Sequence, residues 1–302
     1  MVKRHFKRIG LIGLGRMGRP IAENLLQQGF SITVFARKTD IRNEMKKIGA
    51  DVALSPAELA KKSKIIVLVV TDSRAVGELI FHSDGMLRTL SPGTIIVDVT
   101  TSDPRISRKY AKRLEKRQVE YLDAPMSGGV LGARTGQLLF MVGGKPEIYH
   151  QCLPLFEAIG KRSLHAGENG SGHLIKLIHN QAALSIFLAT CEAVILGDRL
   201  GLSAEKVIEV FNGGNARSYS SEVRFPKFIL SKTYDMGGSY ANQHKDLSLV
   251  KRIAREAGMK LPITDCAYRY FKHAMEKRDN EEDFSRIILE MKDIISKPPS
   301  GK

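Results

Sequence analysis

The chain has no tryptophan, only three cysteines among 302 residues, and aromatic side chains at just 7%. Cys152, Cys191 and Cys266 lie far apart, with no CxxC pair and no histidine at ligand spacing. That pattern argues against a disulfide framework or a zinc site, so no metal is expected and a reducing compartment, the cytoplasm, is. The start, MVKRHFKR, is basic but runs straight into an apolar strand-like segment, and without an h-region it does not read as a signal peptide. The longest apolar stretch, residues 182–196, is interrupted by Ser185, Thr190 and Glu192. It falls short of the about 20 apolar residues of a membrane span, so no membrane partner is expected. A helix apolar nearly all round is expected to be buried in protein instead.

Acidic residues are also scarce, 32 against 47 lysines and arginines, for a formal net charge of +15. Arg105, Arg108, Lys109, Lys112, Arg113, Lys116 and Arg117 crowd one helical segment. Such a stripe reads either as a nucleic-acid footprint or as a solvated surface whose field draws in small anions. The charges spread over several faces with Glu115 among them, and no zinc finger, RNP motif or interleaved aromatic pattern accompanies them. No nucleic-acid partner is therefore expected.

With 43% hydrophobic and 26% charged residues the chain can bury a substantial core and is long enough for two domains. Short β-rich runs at 9–12, 31–35, 65–70, 95–98, 119–122 and 138–142 alternate with helical segments, the pattern of a doubly wound parallel sheet. After Gly167 the runs become long and helix-periodic, broken at Gly201, Gly213, Gly214, Gly237, Gly238, Gly258 and Pro262. The expected architecture is α/β, with a Rossmann domain over residues 1–167 and an all-helical substrate and oligomerisation domain over 168–302. A long helix from His173 to about Leu200 joins them, and the tail 297–302 is expected to be disordered.

Within that frame IGLIGLGRMG, residues 9–18, places three glycines between a strand and a helix, the context in which a dinucleotide fingerprint carries meaning. Gly13 permits the tight turn, Gly15 lets backbone amides approach a pyrophosphate, and Gly18 lets the helix pack on the strand. Gly13, Leu14, Gly15, Arg16, Met17 and Gly18 are thus the expected cofactor-binding turn. At the tip of the second strand no carboxylate is present to hold a ribose hydroxyl; Arg37, Lys38 and Thr39 stand there instead, with Asp40 next. Those residues favour NADP, and Asp40 leaves NAD possible.

SGHLIKLIHN, residues 171–180, sets Lys176 and Asn180 four apart at the start of the long helix, on one face. Such a pair can pass a proton to a substrate oxygen and hold that oxygen in place, although most helical lysines are merely solvated. His173 and His179 flank the pair as rival acid/base candidates. Asp246, beside Lys245, reads as a residue that orients a lysine. In DAPMSGG, Ser127, Gly128 and Gly129 offer a hydroxyl and two unhindered amides, equally suited to a carboxylate cradle and to a structural turn.

GLIGLGRMGRP, DVTTSDP at 98–104, DAPMSGG with its trailing GARTG, GSGHLIKLIHN, and HKDLSLV at 244–250 occur in order, and over residues 8–292 the chain resembles the β-hydroxyacid dehydrogenases. The resemblance implies that Lys176 is the catalytic acid/base, that Asn180 binds substrate, and that Ser127, Gly128 and Gly129 hold its carboxylate. It further implies that Thr101 and Lys245 face the cofactor, that Val69 and Val70 line its path, and that the chain forms a homodimer or homotetramer. The family more often has methionine at the position of Ile21, serine at that of Thr100 and a Met-Leu-Pro loop at 69–71. The activity implied is hydride exchange between NAD(P) and a short, carboxylate-bearing 3-hydroxy acid or its semialdehyde. An imine reductase and a non-catalytic NADP-binding scaffold are the alternatives; an iminium substrate needs no carboxylate cradle, and a scaffold needs no Lys176.

Overall fold

The computed structural model describes residues 8–295. The expectations for the basic segment 1–7 and for the tail 297–302 concern residues outside these. The chain divides into two compact units, Met1–Lys176 and Leu177–Lys302.

The first unit runs β1 (Ile9–Ile12), α1 (Gly18–Gln27), β2 (Ile32–Phe35), α2 (Thr39–Lys47), β3 (Asp51–Val52), α3 (Pro56–Lys62), β4 (Ile65–Leu68), α4 (Ser73–Phe81), β5 (Ile95–Asp98), α5 (Pro104–Glu115), β6 (Glu120–Asp123), β7 (Met126–Ser127), α6 (Gly129–Thr135), β8 (Leu138–Gly143), α7 (Pro146–Ile159) and β9 (Gly160–Gly167). The sheet order is β3-β2-β1-β4-β5-β6-β8-β7, with β9 on the other edge of β8. Strands β1 to β6 pair in parallel, whereas β8 runs antiparallel to β6 and β7. This is the doubly wound sheet expected from the sequence. Strands β1, β4 and β5 are buried at every residue, as strands covered by helices on both faces must be.

Several strand ends differ from the expected runs by a residue or two, and two of them for evident local reasons. The run 65–70 pairs only to Leu68, because the chain then leaves the sheet with the Val69 carbonyl lying over Gly13. The run 119–122 begins pairing one residue late, because the Val119 N–H bonds back to the Leu114 carbonyl at 3.2 Å and closes the end of α5.

Helix α8 (Ser171–Arg199) starts in the first unit and continues into the second, which adds α9 (Ala204–Gly213), a π-helix (Ser220–Leu230), α10 (Tyr240–Glu256), α11 (Pro262–Lys277) and α12 (Ile287–Ile295). Its core gathers Leu184, Phe187, Leu188, Cys191 and Val194 of α8 with Phe225, Tyr240, Leu247, Phe271 and Ile287. Complete burial of α8 is not observed. Ile175, Ile178, Ile186 and Leu196 are 44%, 54%, 47% and 61% exposed, because only one side of this almost wholly apolar helix finds partners within the chain. By length and composition α8 is also apolar enough to cross a membrane, and 44% of its most apolar window is buried.

Candidate active site

The glycine turn after β1 has the steric character that a dinucleotide demands. Gly13 has φ +101°, and a Cβ there would stand 2.0 Å from the Val69 carbonyl oxygen; one on Gly18 would stand 1.7 Å from the Gly13 oxygen. Both positions are closed to side chains. At Gly15, by contrast, a Cβ would meet nothing within 4 Å, which leaves room for a phosphate to approach the backbone. Helix α1 follows with no acidic residue in its first turn, so its positive end is not neutralised from within that turn. Beside it lies a hollow of about 310 Å³ lined by Leu14, Gly15, Arg16, Arg19, Pro20, Glu23 and Arg134. Arg19 is tied to Glu23 and Glu44 at 3.0 and 2.8 Å, whereas Arg16 and Arg134 have no carboxylate partner among the described residues. These residues fit a pyrophosphate. The sequence reading missed Arg134, which α6 carries to this hollow as it packs beside α1, the Asn24 amide donating to the Ala133 carbonyl at 2.6 Å.

At the β2 tip Arg37, Lys38 and Thr39 are exposed, with Lys38 capping α2 and Thr39 opening it. The Thr39 hydroxyl accepts from Arg42 Nη2 at 2.8 Å, which adds a cation that the sequence pattern did not single out. Val69 and Val70 follow β4, half-buried, and the Val69 N–H donates to the Ile12 carbonyl at 2.8 Å. Val69 is thereby the floor of the glycine turn. Thr101 lies half-buried between β5 and α5.

Ser127 ends β7 opposite Leu139, and Gly128, with φ +127°, leads into Gly129, with φ +60°, the first residue of α6. A Cβ on Gly128 would press to 3.3 Å from Leu138 Cδ2 as well as meeting an unfavourable φ. Glycine is required at that turn whether or not it cradles an anion.

Lys176 is buried in the second turn of α8, and two buried carboxylates in neighbouring strands lie at the helix start, one of them bonded to its backbone. Asp123 of β6, wholly buried, accepts from the N–H groups of Gly170 at 2.7 Å and His173 at 2.9 Å. Burial holds its pKa above the ordinary value, opposed by the His173 side chain and by these two N–H groups. Its parallel partner Asp98 of β5 accepts from the Thr100 N–H at 2.9 Å and from the Tyr121 hydroxyl at 2.6 Å. Burial and then Asp98 push the Tyr121 hydroxyl well up. His173 is sealed between them, Nδ1 2.5 Å from Ser107 Oγ and Nε2 4.0 Å from Asp98 Oδ2. That enclosure makes His173 part of the anchor rather than a proton carrier in contact with solvent. The signal was in the sequence, since Asp98 opens DVTTSDP and Asp123 opens DAPMSGG.

In the second unit Asn180 is held by α10. Its Nδ2 donates to Asp246 Oδ2 at 2.6 Å, and Lys245 Nζ stands 3.3 Å from Asp246 Oδ1. Asp246 thus orients the amide as well as lying against the lysine. His179 is half-buried on α8.

A doubly wound sheet with a steric fit for a dinucleotide at its glycine turn, followed by a helical unit, is the architecture of a dinucleotide-binding protein. Residues 8–167 match the model for the NAD binding domain of 6-phosphogluconate dehydrogenase, and residues 170–291 that for the NAD-binding domain of NADP-dependent 3-hydroxyisobutyrate dehydrogenase. A probable mitochondrial 3-hydroxyisobutyrate dehydrogenase of Dictyostelium discoideum is 34% identical, over 93% of this chain and 89% of that protein. The NAD-dependent L-serine dehydrogenase of Pseudomonas aeruginosa is 32% identical, over 93% and 96%. The solved 3-hydroxyisobutyrate dehydrogenase of Mycobacterium tuberculosis with L-serine superposes with a TM-score of 0.85 at 26% identity, covering 95% of this chain and 99% of that one. The chain belongs to the β-hydroxyacid dehydrogenase family, as its motifs implied, and is an NAD(P)-dependent enzyme acting on CH–OH donors.

Proposed function

We propose that the enzyme interconverts a short 3-hydroxy acid and its semialdehyde, with NADP(H) preferred and Lys176 as general acid and base. The observation that carries the reading is the buried Lys176 one turn before an Asn180 whose amide is fixed by Asp246. The bound dinucleotide supplies hydride exchange at the carbon that carries the oxygen. Lys176 Nζ gives the proton to that oxygen in reduction and takes it back in oxidation, for which the amine must be neutral. Asn180 holds the oxygen, and Ser127 with the Gly128 and Gly129 amides receives the carboxylate. An imine reductase would need neither that cradle nor a proton carrier at an alcohol oxygen.

For the cofactor, Gly13, Leu14, Gly15, Arg16, Met17 and Gly18 would hold the pyrophosphate, with Val69, Val70, Thr101 and Lys245 along its nicotinamide half. The NADP preference rests on exposed Arg37 and Lys38 and on the absence of a carboxylate ending β2. Self-association as a homodimer or homotetramer is part of the proposal and is supported by the exposed apolar side of α8. A reducing, cytoplasmic location is kept from the sequence, whose three cysteines are sparse and far apart.

Lys176→Ala decides the matter. Losing a general acid is expected to lower kcat by roughly 10²- to 10⁴-fold, while NADPH affinity, read by fluorescence titration, stays close to wild type. Wild-type turnover in the folded variant would refute the assignment, and a comparable loss in His179→Ala alone would move the role there.

A further inference from the structure

The 3-hydroxy acids share a carboxylate and a carbinol and differ in what they carry at C2. In the second unit one side chain is placed to read that difference. Arg224, on the π-helix Ser220–Leu230, lies among aromatic rings, its guanidinium carbon 5.2 Å from the Phe187 centroid and 5.7 Å from those of Tyr219 and Phe284. Its Nη1 donates to the Ala183 carbonyl at 3.1 Å. Among the described residues no carboxylate pairs with it. A guanidinium offers five N–H donors, and one carbonyl does not balance a cation held in apolar surroundings. Burial lowers its pKa, with Tyr219 and Cys191 opposing the shift. The side chain is nonetheless not sealed, being only half-buried.

Its position along α8 gives the imbalance a use. Asn180, Ala183 and Phe187 are spaced i, i+3, i+7 and share one face of the helix. The Ala183 peptide lies about 4.5 Å beyond Asn180 along the axis, at 1.5 Å per residue. The guanidinium therefore rests on the face that carries the substrate amide, less than one turn further on. We propose that Arg224 binds a second anionic group on the substrate, so that the preferred substrate is a 3-hydroxy diacid whose C2 substituent ends in a carboxylate. This rests on the preceding reading in placing the substrate oxygen at Asn180. A C2 ammonium, as in serine, is the wrong charge for this neighbour, and a C2 methyl leaves the cation unpaired.

The test compares 3-hydroxypropanoate with 2-(hydroxymethyl)succinate and 2-(hydroxymethyl)glutarate on the full chain. A hydrogen-bonded charge pair is worth a roughly 10- to 150-fold higher kcat/KM for the better diacid. Arg224→Met should reduce that diacid-to-monoacid ratio at least tenfold, and Arg224→Lys should reduce it less. A wild-type ratio of one or below, or a ratio unchanged in Arg224→Met, overturns the proposal. Should Arg224→Met not fold, glutarate and butanoate are compared as inhibitors of the wild type, where at least tenfold tighter inhibition by glutarate is expected and equal inhibition refutes the site. Should the wild type oxidise none of the three acids, the dehydrogenase reading has failed on its own. Calorimetric binding of glutarate to the NADP⁺-loaded protein then still decides the anion site: binding weakened in Arg224→Lys supports it, and no binding overturns it.

Discussion

Replacing Asp123 by alanine tests whether the start of α8 is fixed by that carboxylate. The side chain accepts two backbone N–H groups, from Gly170 and His173, at a position with no solvent access. An alanine leaves both donors buried and unsatisfied, at about 1–3 kcal/mol each. Against that loss stands the cost of burying the carboxylate, recorded in its raised pKa, which the substitution removes. The expected net destabilisation is about 2–4 kcal/mol, and at roughly 2–4 °C per kcal/mol for a domain of this size the Tm should fall by roughly 4–16 °C. Asp123→Asn keeps the shape and one acceptor and should lose less. The sign with pH is fixed as well. Between the ordinary and the raised pKa the native state holds a proton that the unfolded state has released, so stability from Asp123 falls as pH rises through that window. Asp123→Asn lacks this titration and should gain on wild type from pH 4 upward. Denaturation by urea and by heat at several pH values, with kcat measured on the surviving native protein, makes the comparison. Asp123→Ala within 0.5 kcal/mol of wild type would show that the helix start is held by its other contacts and refute the reasoning.

Arg37→Asp should narrow or reverse the preference for NADPH over NADH in kcat/KM; a wild type that already prefers NADH would show that Asp40 or another group reads the ribose. His244 has its pKa lowered, first by burial and then by Lys272 and Lys251, so the unfolded chain binds the extra proton first. Its stabilising contribution is present above the ordinary histidine value and is lost as pH falls toward the folded one. The Tm of His244→Gln should accordingly be flatter than that of wild type over pH 5 to 7, and parallel curves would count against it. Ile178→Glu with Ile186→Glu should dissociate the oligomer in analytical ultracentrifugation; a wild type that sediments as a monomer removes the proposal of self-association.

The sheet was legible because β1, β4 and β5 are short runs, apolar but for the closing Asp98 of β5, each followed by a helix. The glycine turn was legible for a related reason, since Gly13 and Gly18 are closed to side chains by backbone atoms and no other residue fits. Less accessible to sequence reasoning were polar contacts between distant segments. Asp123 meets residues 47 and 50 positions away, and Asn180 meets Asp246 across 66, separations over which no periodicity runs. The exposure of Ile175 and Ile178 escaped for a different reason. An apolar pattern reports that a face wants a partner, and not whether the same chain supplies it.

The two carboxylates beneath α8 show what such contacts are for. Asp98 and Asp123 are register partners in adjacent parallel strands, both buried, and Asp98 adds to the upward shift of Asp123. A pair of apolar residues there would avoid both the desolvation and the repulsion, but would leave the Gly170 and His173 N–H groups buried and unsatisfied. The hydrogen bonds of these acids go to the Thr100 N–H and the Tyr121 hydroxyl for one, and to the Gly170 and His173 N–H groups at the helix start for the other. Both sit at the carboxyl ends of their strands, the edge at which doubly wound sheets bind their ligands. Hydrophobic packing would hold α8 against the sheet with freedom to slide or rotate, whereas two directional bonds to consecutive turns of backbone fix its start and its rotation. Lys176 follows one turn after His173, so the desolvation borne by Asp123 goes with a defined position for the residue proposed to carry the proton.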